Sequence, residues 1–126
     1  MGNSKYIGID LDGTIAHYVE WRGETHFGEP VPGVQDALRE LKKDGWKIII
    51  FTTRSNKKLI SDYLKKHLIP FDYINENPDQ PGNAIGGKIY ADAYIDDRSI
   101  PFNGDWRATV KEALQFVPWE NRKEKP

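Results

Sequence analysis

Residues 46–51 of this chain read WKIIIF, a continuous and mostly apolar run that follows directly on Gly45. Such a run is typical of a strand at the centre of a parallel sheet, where both faces are covered. Upstream, the apolar residues of 34–41 recur with the spacing of one buried helical face, after prolines at 30 and 32. The sequence around WKIIIF therefore predicts a helix followed by a buried strand.

The same signals extend outward in both directions. Apolar runs predict strands, helical spacing of apolar residues predicts helices, and clusters of Gly and Pro predict loops. Before and after the central strand, the further predicted elements are a strand at 5–11, a β-hairpin flap at 15–28, a short strand at 71–74, a loop at 75–87 and a strand at 91–95. A helix capped by Ser55 or Asn56 is predicted to bury Ile60, Tyr63, Leu64 and Leu68. A last helix at roughly 105–116 is predicted to bury Trp106, Val110, Ala113 and Leu114.

The alternation of strands and helices predicts the α/β class. Right-handed crossovers between parallel strands give a three-layer, Rossmann-like sheet with helices on both faces. We expect one domain over residues 1–119, with a small flap and no cap domain. Residues 120–126 carry a run of charges, so we expect a disordered tail.

Composition narrows the possible functions. The chain has 126 residues, 38% of them hydrophobic, a formal net charge of -1 and no cysteine. Disulfides and thiolate metal sites are excluded, and near-neutral charge makes nucleic-acid binding an unfavoured alternative. No apolar stretch is long enough to span a bilayer, so we expect no membrane partner. The first residues lack the layout of a signal peptide, and we expect a cytoplasmic protein.

Polar residues follow three of the predicted strands. Asp10 and Asp12 follow the first strand, residues 52–53 (Thr-Thr) follow the second, and residues 96–97 (Asp-Asp) follow the last. In open α/β sheets, ligands bind at the carboxyl ends of the strands. These side chains are therefore predicted to meet at one edge of the sheet.

The segment Asp10-Leu11-Asp12-Gly13-Thr14 carries the strongest chemical signal. Two carboxylates two positions apart on an extended chain face the same way, so both can address one ligand. A carboxylate can attack phosphorus covalently, while a second can protonate the leaving alcohol and later activate water. Mg²⁺ would offset the repulsion between carboxylate and phosphate. The alternative is a turn with a capping aspartate.

The remaining polar residues suit the same chemistry. Hydroxyls of Thr52 and Thr53 can donate to phosphate oxygens, and the ammonium of Lys88 can bind phosphate or a carboxylate. Adjacent Asp96 and Asp97 repel each other unless a cation lies between them. Each residue also has an ordinary structural interpretation as a strand, surface or turn residue.

Taken in chain order, these residues resemble the four motifs of the haloacid dehalogenase (HAD) superfamily, whose members are mostly Mg²⁺-dependent phosphotransferases. The matching segments are residues 10–14 (DLDGT), Thr52, Lys88 and residues 95–97 (IDD), within a resemblance that covers residues 5 to about 106. The roles that the resemblance implies are nucleophile for Asp10, general acid/base and backbone metal ligand for Asp12, phosphate binding for Thr52 and Lys88, and metal binding for Asp97 supported by Asp96. An aspartate at position 12 is similar to the phosphate-ester branches of the superfamily.

The intervals between these motifs resemble those of short capless members from phages and bacteria. About 40 residues separate Asp12 from Thr52 and about 35 separate Thr53 from Lys88, too few for a folded cap. The resemblance implies an open site that takes a small phosphorylated substrate, unless a partner subunit covers it. The candidate substrate contacts are His17, Trp21, Arg22, His26, Arg54 and Arg98.

Other functions remain open at this point. A signalling receiver domain has a similar length, but it places its acid pair after the first strand and its phosphoacceptor later. A catalytically silent binding module would keep the scaffold without turnover. A phosphatase for polynucleotide or phosphoprotein ends is a third alternative. The sequence leaves open the physiological substrate, the pathway, the oligomeric state and which of Asp96 and Asp97 binds the metal directly.

Overall fold

The computed structural model describes residues 4–122. Within this range, no helix has the length and apolar character needed to cross a bilayer. The elements are β1 (Lys5–Asp10), α1 (Val34–Lys43), β2 (Trp46–Phe51), α2 (Lys57–Lys66), β3 (Tyr73–Ile74), β4 (Ala93–Ile95), α3 (Trp106–Leu114) and a final 3-10 turn (Trp119–Asn121). Strand β2 has the predicted bounds, whereas β3 and β4 are shorter than predicted.

The four strands form one parallel sheet in the order β3-β2-β1-β4. β1 pairs with β2 over its whole length, and residues 7–9 pair with β4 on the other side. The predicted α/β fold with a parallel sheet is confirmed. Strand order reverses between β1 and β4, and in such sheets that reversal opens a crevice beyond the strand ends.

One face of the sheet carries the hydrophobic core. Ile7 and Ile9 of β1 lie beside Ile48 and Ile50 of β2, and all four are buried. Both α1 and α2 pack on this face, as their buried side chains belong to the same cluster. Asn56 caps α2 by accepting a hydrogen bond from the Leu59 amide at 3.1 Å, which confirms one of the two predicted caps.

The opposite face is covered by chain rather than by a helix. A carboxylate oxygen of Asp79, which lies in the segment between β3 and β4, accepts hydrogen bonds from Tyr6, Tyr73 and Lys47 on that face. These bonds hold the segment against the sheet, and it carries no helix, in agreement with the loop predicted at 75–87. The general prediction of helices on both faces is wrong for this face, since α1 and α2 share the other side.

Two predictions of buried apolar residues are also wrong. Leu68 is 73% exposed, because α2 ends at Lys66 and the chain turns there through a left-handed conformation. No side chain of α3 is buried, and Trp106 is 69% exposed. α3 begins where Asp105 caps it, so local hydrogen bonding accounts for its start and burial does not.

The predicted β-hairpin at 15–28 does not form strands. The backbone of Ala16 makes an isolated antiparallel bridge to Pro30, and the chain between them is irregular. We call residues 17–28 the flap loop. Two of its backbone carbonyls accept hydrogen bonds from Arg54, a side chain outside the loop, and so lack the cross-strand partners of a hairpin.

The start of the predicted disordered tail is ordered against the carboxyl end of β1. The Glu120 carboxylate, only 6% exposed, accepts from the Tyr18 amide and lies 2.7 Å from His17 Nδ1. The Trp119 indole donates to the Gly13 carbonyl. The prediction of disorder is therefore wrong for 120–122, because Glu120 has partners far along the chain. Residues 123–126 lie outside the described residues.

Candidate active site

The turn after β1 presents Asp10 and Asp12 at the edge of the sheet. The Leu11 carbonyl accepts hydrogen bonds from the amides of residues 14, 15 and 16, which closes the chain tightly after the strand. Gly13 has φ 91, and a Cβ there would clash with a carboxylate oxygen of Asp97. Glycine is therefore required twice, for the positive φ and for the close approach of Asp97.

Three carboxylates converge at the reversal between β1 and β4. Asp10, Asp96 and Asp97 each offer an oxygen, and these three oxygens lie within 4.8 Å of one another. The Asp97 side chain is 4% exposed, and its buried Oδ1 has no hydrogen-bond partner among the residues that the structure describes. The predicted convergence of Asp10 with Asp96 and Asp97 is observed, and both residues of the last pair take part.

The protonation of Asp10 reflects this crowding. Burial raises the pKa of Asp10 from 3.8 to about 8, and the hydrogen bond with Asp97 and the charges of Asp96 and Asp97 act in the same direction. The Thr14 hydroxyl, which donates to Asp10 at 3.3 Å, acts in the opposite direction. Without a counter-cation, the cluster therefore holds a proton at neutral pH.

The donor set fits a hard divalent cation. Mg²⁺ prefers carboxylate, carbonyl and water oxygens, and it is commonly held by one or two carboxylates. The unpartnered Oδ1 of Asp97 is a buried acceptor that nothing in residues 4–122 satisfies. Buried acceptors of this kind need an explanation, and a cation supplies one. Asp10, Asp96 and Asp97 are the side chains able to hold it.

Asp12 turns away from the three carboxylates. Its two oxygens accept hydrogen bonds from Arg54, at 2.8 Å from Nε and 3.0 Å from Nη2. Asp12 still lines the cavity that Asp10 lines, so the two residues border one space as predicted. The Arg54 side chain is 5% exposed, which makes it a buried partner of Asp12 rather than an open substrate contact.

The end of β2 is organised by a residue that sequence reasoning missed. Asn75 accepts a hydrogen bond from the Thr52 amide at 2.9 Å and donates to the Thr52 carbonyl at 2.9 Å. The Thr52 hydroxyl accepts from the Arg54 amide, and Thr52 and Thr53 both line the cavity. Asn75 has φ 53, and an asparagine after a short strand is the signal that could have marked it.

Lys88 lies beside the acidic cluster without an ion pair to it among residues 4–122. Its ammonium lies 5.2 Å from the centroid of the Tyr94 ring. It lines a shallow cavity of about 330 Å³ together with Asp10, Thr52 and Asp96. The structure thus brings Lys88 to the predicted site, but within the described residues its ammonium makes no ion pair with Asp96 or Asp97.

The candidate substrate contacts separate into two groups. A cavity of about 320 Å³ lies over Asp10, and Trp21 and Arg98 line it together with Tyr18. The other flap-loop candidates line a different cavity of about 200 Å³, and these are His17, Arg22 and His26. Tyr18 was not among the sequence candidates, although it lies on the flap loop between two of them.

Comparison with known proteins bears on the fold. No protein-family model matches the chain, and no curated protein matches it either. A solved structure shares the fold. It is that of a conserved protein from Bacteroides thetaiotaomicron, with 22% sequence identity, a TM-score of 0.63, and coverage of 90% of this chain and 92% of that one. At this identity, the likeness supports the α/β architecture alone.

Proposed function

We propose that this chain is a Mg²⁺-dependent phosphomonoester hydrolase of the HAD type, with Asp10 as the nucleophile. The single observation that carries the proposal is the convergence of Asp10, Asp96 and Asp97 within 4.8 Å at the reversal of strand order. Asp12 lines the same cavity. A nucleophile, a second carboxylate and a cation site in one crevice are the parts that aspartyl-phosphate chemistry needs.

In the first step, a carboxylate oxygen of Asp10 attacks the phosphorus of the ester, and the bond from phosphorus to the alcohol oxygen breaks. Asp12 gives its proton to the departing alcohol. A bound Mg²⁺ would neutralise charge on the carboxylate and on the phosphoryl oxygens. Thr52 and Lys88, which line the space around Asp10, would hold the phosphoryl group by hydrogen bonds.

In the second step, water attacks the same phosphorus, and the bond between phosphorus and the Asp10 oxygen breaks. Asp12 accepts one proton of that water, which restores the Asp10 carboxylate and the protonated carboxyl of Asp12 and releases inorganic phosphate. Acid/base assistance of this kind contributes about 10² to 10⁴ in rate.

The absence of a cap domain is part of the proposal. Between Asp12 and Thr52 the chain forms the flap loop, α1 and β2, and between Thr53 and Lys88 it forms α2, β3 and part of the following segment. None of these elements is a folded cap, so the flap loop is the local cover. We propose a small phosphorylated substrate, a cytoplasmic protein and, where a second subunit covers the crevice, a homo-oligomer.

The test is hydrolysis of p-nitrophenyl phosphate by the purified chain. We expect release of nitrophenol in the presence of Mg²⁺, loss of the activity with EDTA and recovery when Mg²⁺ is added in excess. A matched assay with the variant Asp62→Asn, an exposed acid of α2 paired with Lys58, should match the wild type. No turnover across a broad panel of phosphate esters would favour the silent binding module.

A second prediction concerns the metal and pH, and its readout is stability. The folded-state pKa of Asp10 lies above its unfolded value of 3.8, so the metal-free folded chain holds a proton that the unfolded chain releases. The resulting stabilisation is complete below about pH 4 and is lost as the pH rises to about 8. Because Mg²⁺ replaces that proton, we expect it to raise Tm more at pH 8 than at pH 5.

Thermal melts with Mg²⁺ and with EDTA at the two pH values measure this effect. The variant Asp10→Asn is the control, since it should lose most of the difference between the two pH values. Equal Mg²⁺ shifts at both pH values in the wild type would contradict the assignment of the cation to the Asp10 cluster.

A further inference from the structure

Arg54 makes hydrogen bonds to two different parts of the chain beside the crevice. Its side chain is 5% exposed, and its Nε and Nη2 atoms donate to the two oxygens of Asp12. A two-point contact between guanidinium and carboxylate fixes orientation as well as distance, because both groups are planar. The pair therefore sets the direction in which Asp12 faces the cavity.

The same guanidinium also holds the flap loop. Nη1 donates to the Glu24 carbonyl at 3.2 Å, and Nη2 donates to the His26 carbonyl at 2.8 Å. Its central carbon lies 4.1 Å from the Phe27 ring centroid and 4.9 Å from that of Trp21. One buried cation thus joins two backbone carbonyls and two aromatic rings of the flap loop to Asp12.

This arrangement links the position of Asp12 to that of the flap loop. A buried arginine that lost either set of partners would retain an unsatisfied charge, which is costly. The hydrogen bonds of Arg54 to Asp12 and those to the flap loop are therefore more favourable when both are formed than when only one set is. Trp21 lines the cavity with Asp12, so the linked parts border the space in which a leaving group would lie.

We propose that Arg54 is a positioning residue, which holds the acid/base carboxylate of Asp12 and the flap loop as one unit over the leaving-group side of the cavity. The inference rests on the proposed function and adds a residue to it. Arg54 itself touches no reacting atom. It acts through Asp12, so its removal should impair the reactions that depend on Asp12 and spare those that do not.

The experiment compares two esters with the variants Arg54→Gln and Arg54→Lys. The benzyl alcohol released from benzyl phosphate is weakly acidic and needs a proton to leave, whereas the 2,4-dinitrophenolate released from 2,4-dinitrophenyl phosphate does not. The value of kcat/KM reflects only the steps up to and including departure of the alcohol, so it reports on the first step of the reaction. For Arg54→Gln we expect a loss of about 100-fold with benzyl phosphate and of less than about threefold with the dinitrophenyl ester.

Arg54→Lys keeps the positive charge and the buried aliphatic part of the side chain, so it replaces Arg54→Gln in the experiment if the glutamine variant folds poorly. Lysine cannot make the two-point contact with Asp12, so we expect the same dependence on the leaving group with a smaller loss of kcat/KM. Arg39→Gln is the matched control, because Arg39 donates to Asp36 at 2.8 Å on the exposed side of α1. In an Asp12→Asn background, Arg54→Gln should lower kcat/KM by less than about threefold further, since the two residues act as one.

Equal losses with both esters would show that Arg54 supports the fold alone and would overturn the inference. Higher activity of Arg54→Gln with benzyl phosphate would also overturn it, because Arg54 would then restrain Asp12. A wild-type chain inactive on both esters with Mg²⁺ would instead reject the proposed function, and the inference with it. Full activity of the wild type separates the first two outcomes from the third.

Discussion

Replacing Asp10 with asparagine is expected to abolish phosphate-ester hydrolysis while the fold survives. Asparagine has nearly the same shape but cannot form the covalent bond to phosphorus, so we expect kcat to fall by at least about 10⁴-fold. The variant should also be more stable than the wild type at neutral pH without metal, because one of the three crowded carboxylates is gone. Steady-state kinetics and a thermal melt in EDTA measure the two effects.

The matched control for this experiment is Asp62→Asn, in which an exposed aspartate of α2 is changed in the same way. It should retain wild-type activity and show no gain in stability at neutral pH. A wild-type rate in Asp10→Asn would remove the nucleophile from the proposal. An Asp10→Asn variant that is inactive and unfolded would mean that the carboxylate is needed for structure, contrary to the crowding described above.

Replacing Asp12 with asparagine is expected to slow turnover by about 10² to 10⁴. The nucleophile remains, so a phosphoenzyme on Asp10 should accumulate, because the attacking water lacks its base. The variant also leaves the buried charge of Arg54 without its carboxylate, and we expect the free energy of unfolding to fall by about 3 kcal/mol. Rapid-quench mass spectrometry of the peptide that contains Asp10 and a urea melt measure these effects.

Two controls separate chemistry from structure in this variant. Asp36→Asn breaks the exposed pair with Arg39 and should change neither turnover nor stability appreciably, since exposed ion pairs contribute little. In this variant, the rate of the first step should fall less with 2,4-dinitrophenyl phosphate than with benzyl phosphate, because the dinitrophenolate leaving group needs no proton. Unchanged turnover in folded Asp12→Asn would refute the acid/base assignment.

The sequence predicted well those parts of the fold that depend on residues close together along the chain. Strand β2 was predicted with its observed bounds, because a short apolar run bounded by a glycine leaves few alternatives. The meeting of Asp10 with Asp96 and Asp97 was predicted because parallel strands bring their carboxyl ends to one edge. A local pattern combined with one rule of topology was sufficient in both cases.

The flap loop shows where that approach fails. Its aromatic and polar residues on either side of Gly23 are typical of a hairpin, yet two of its carbonyls bind Arg54, about 30 residues further along the chain. A hydrogen bond at that separation leaves no local pattern. The same is true of the ordered turn at Trp119, whose indole donates to the distant Gly13 carbonyl.

The sequence by itself determined the parallel sheet, the bounds of β2 and the set of acids at the strand ends, because side-chain periodicity and strand direction are local properties. Only the tertiary structure decided that Asp12 faces Arg54 while Asp10 faces Asp97, that one sheet face is covered by an irregular segment, and that α3 has no buried side chain. The reason is physical. A buried charge takes whichever partners the folded chain brings near it, and those partners are distant in sequence.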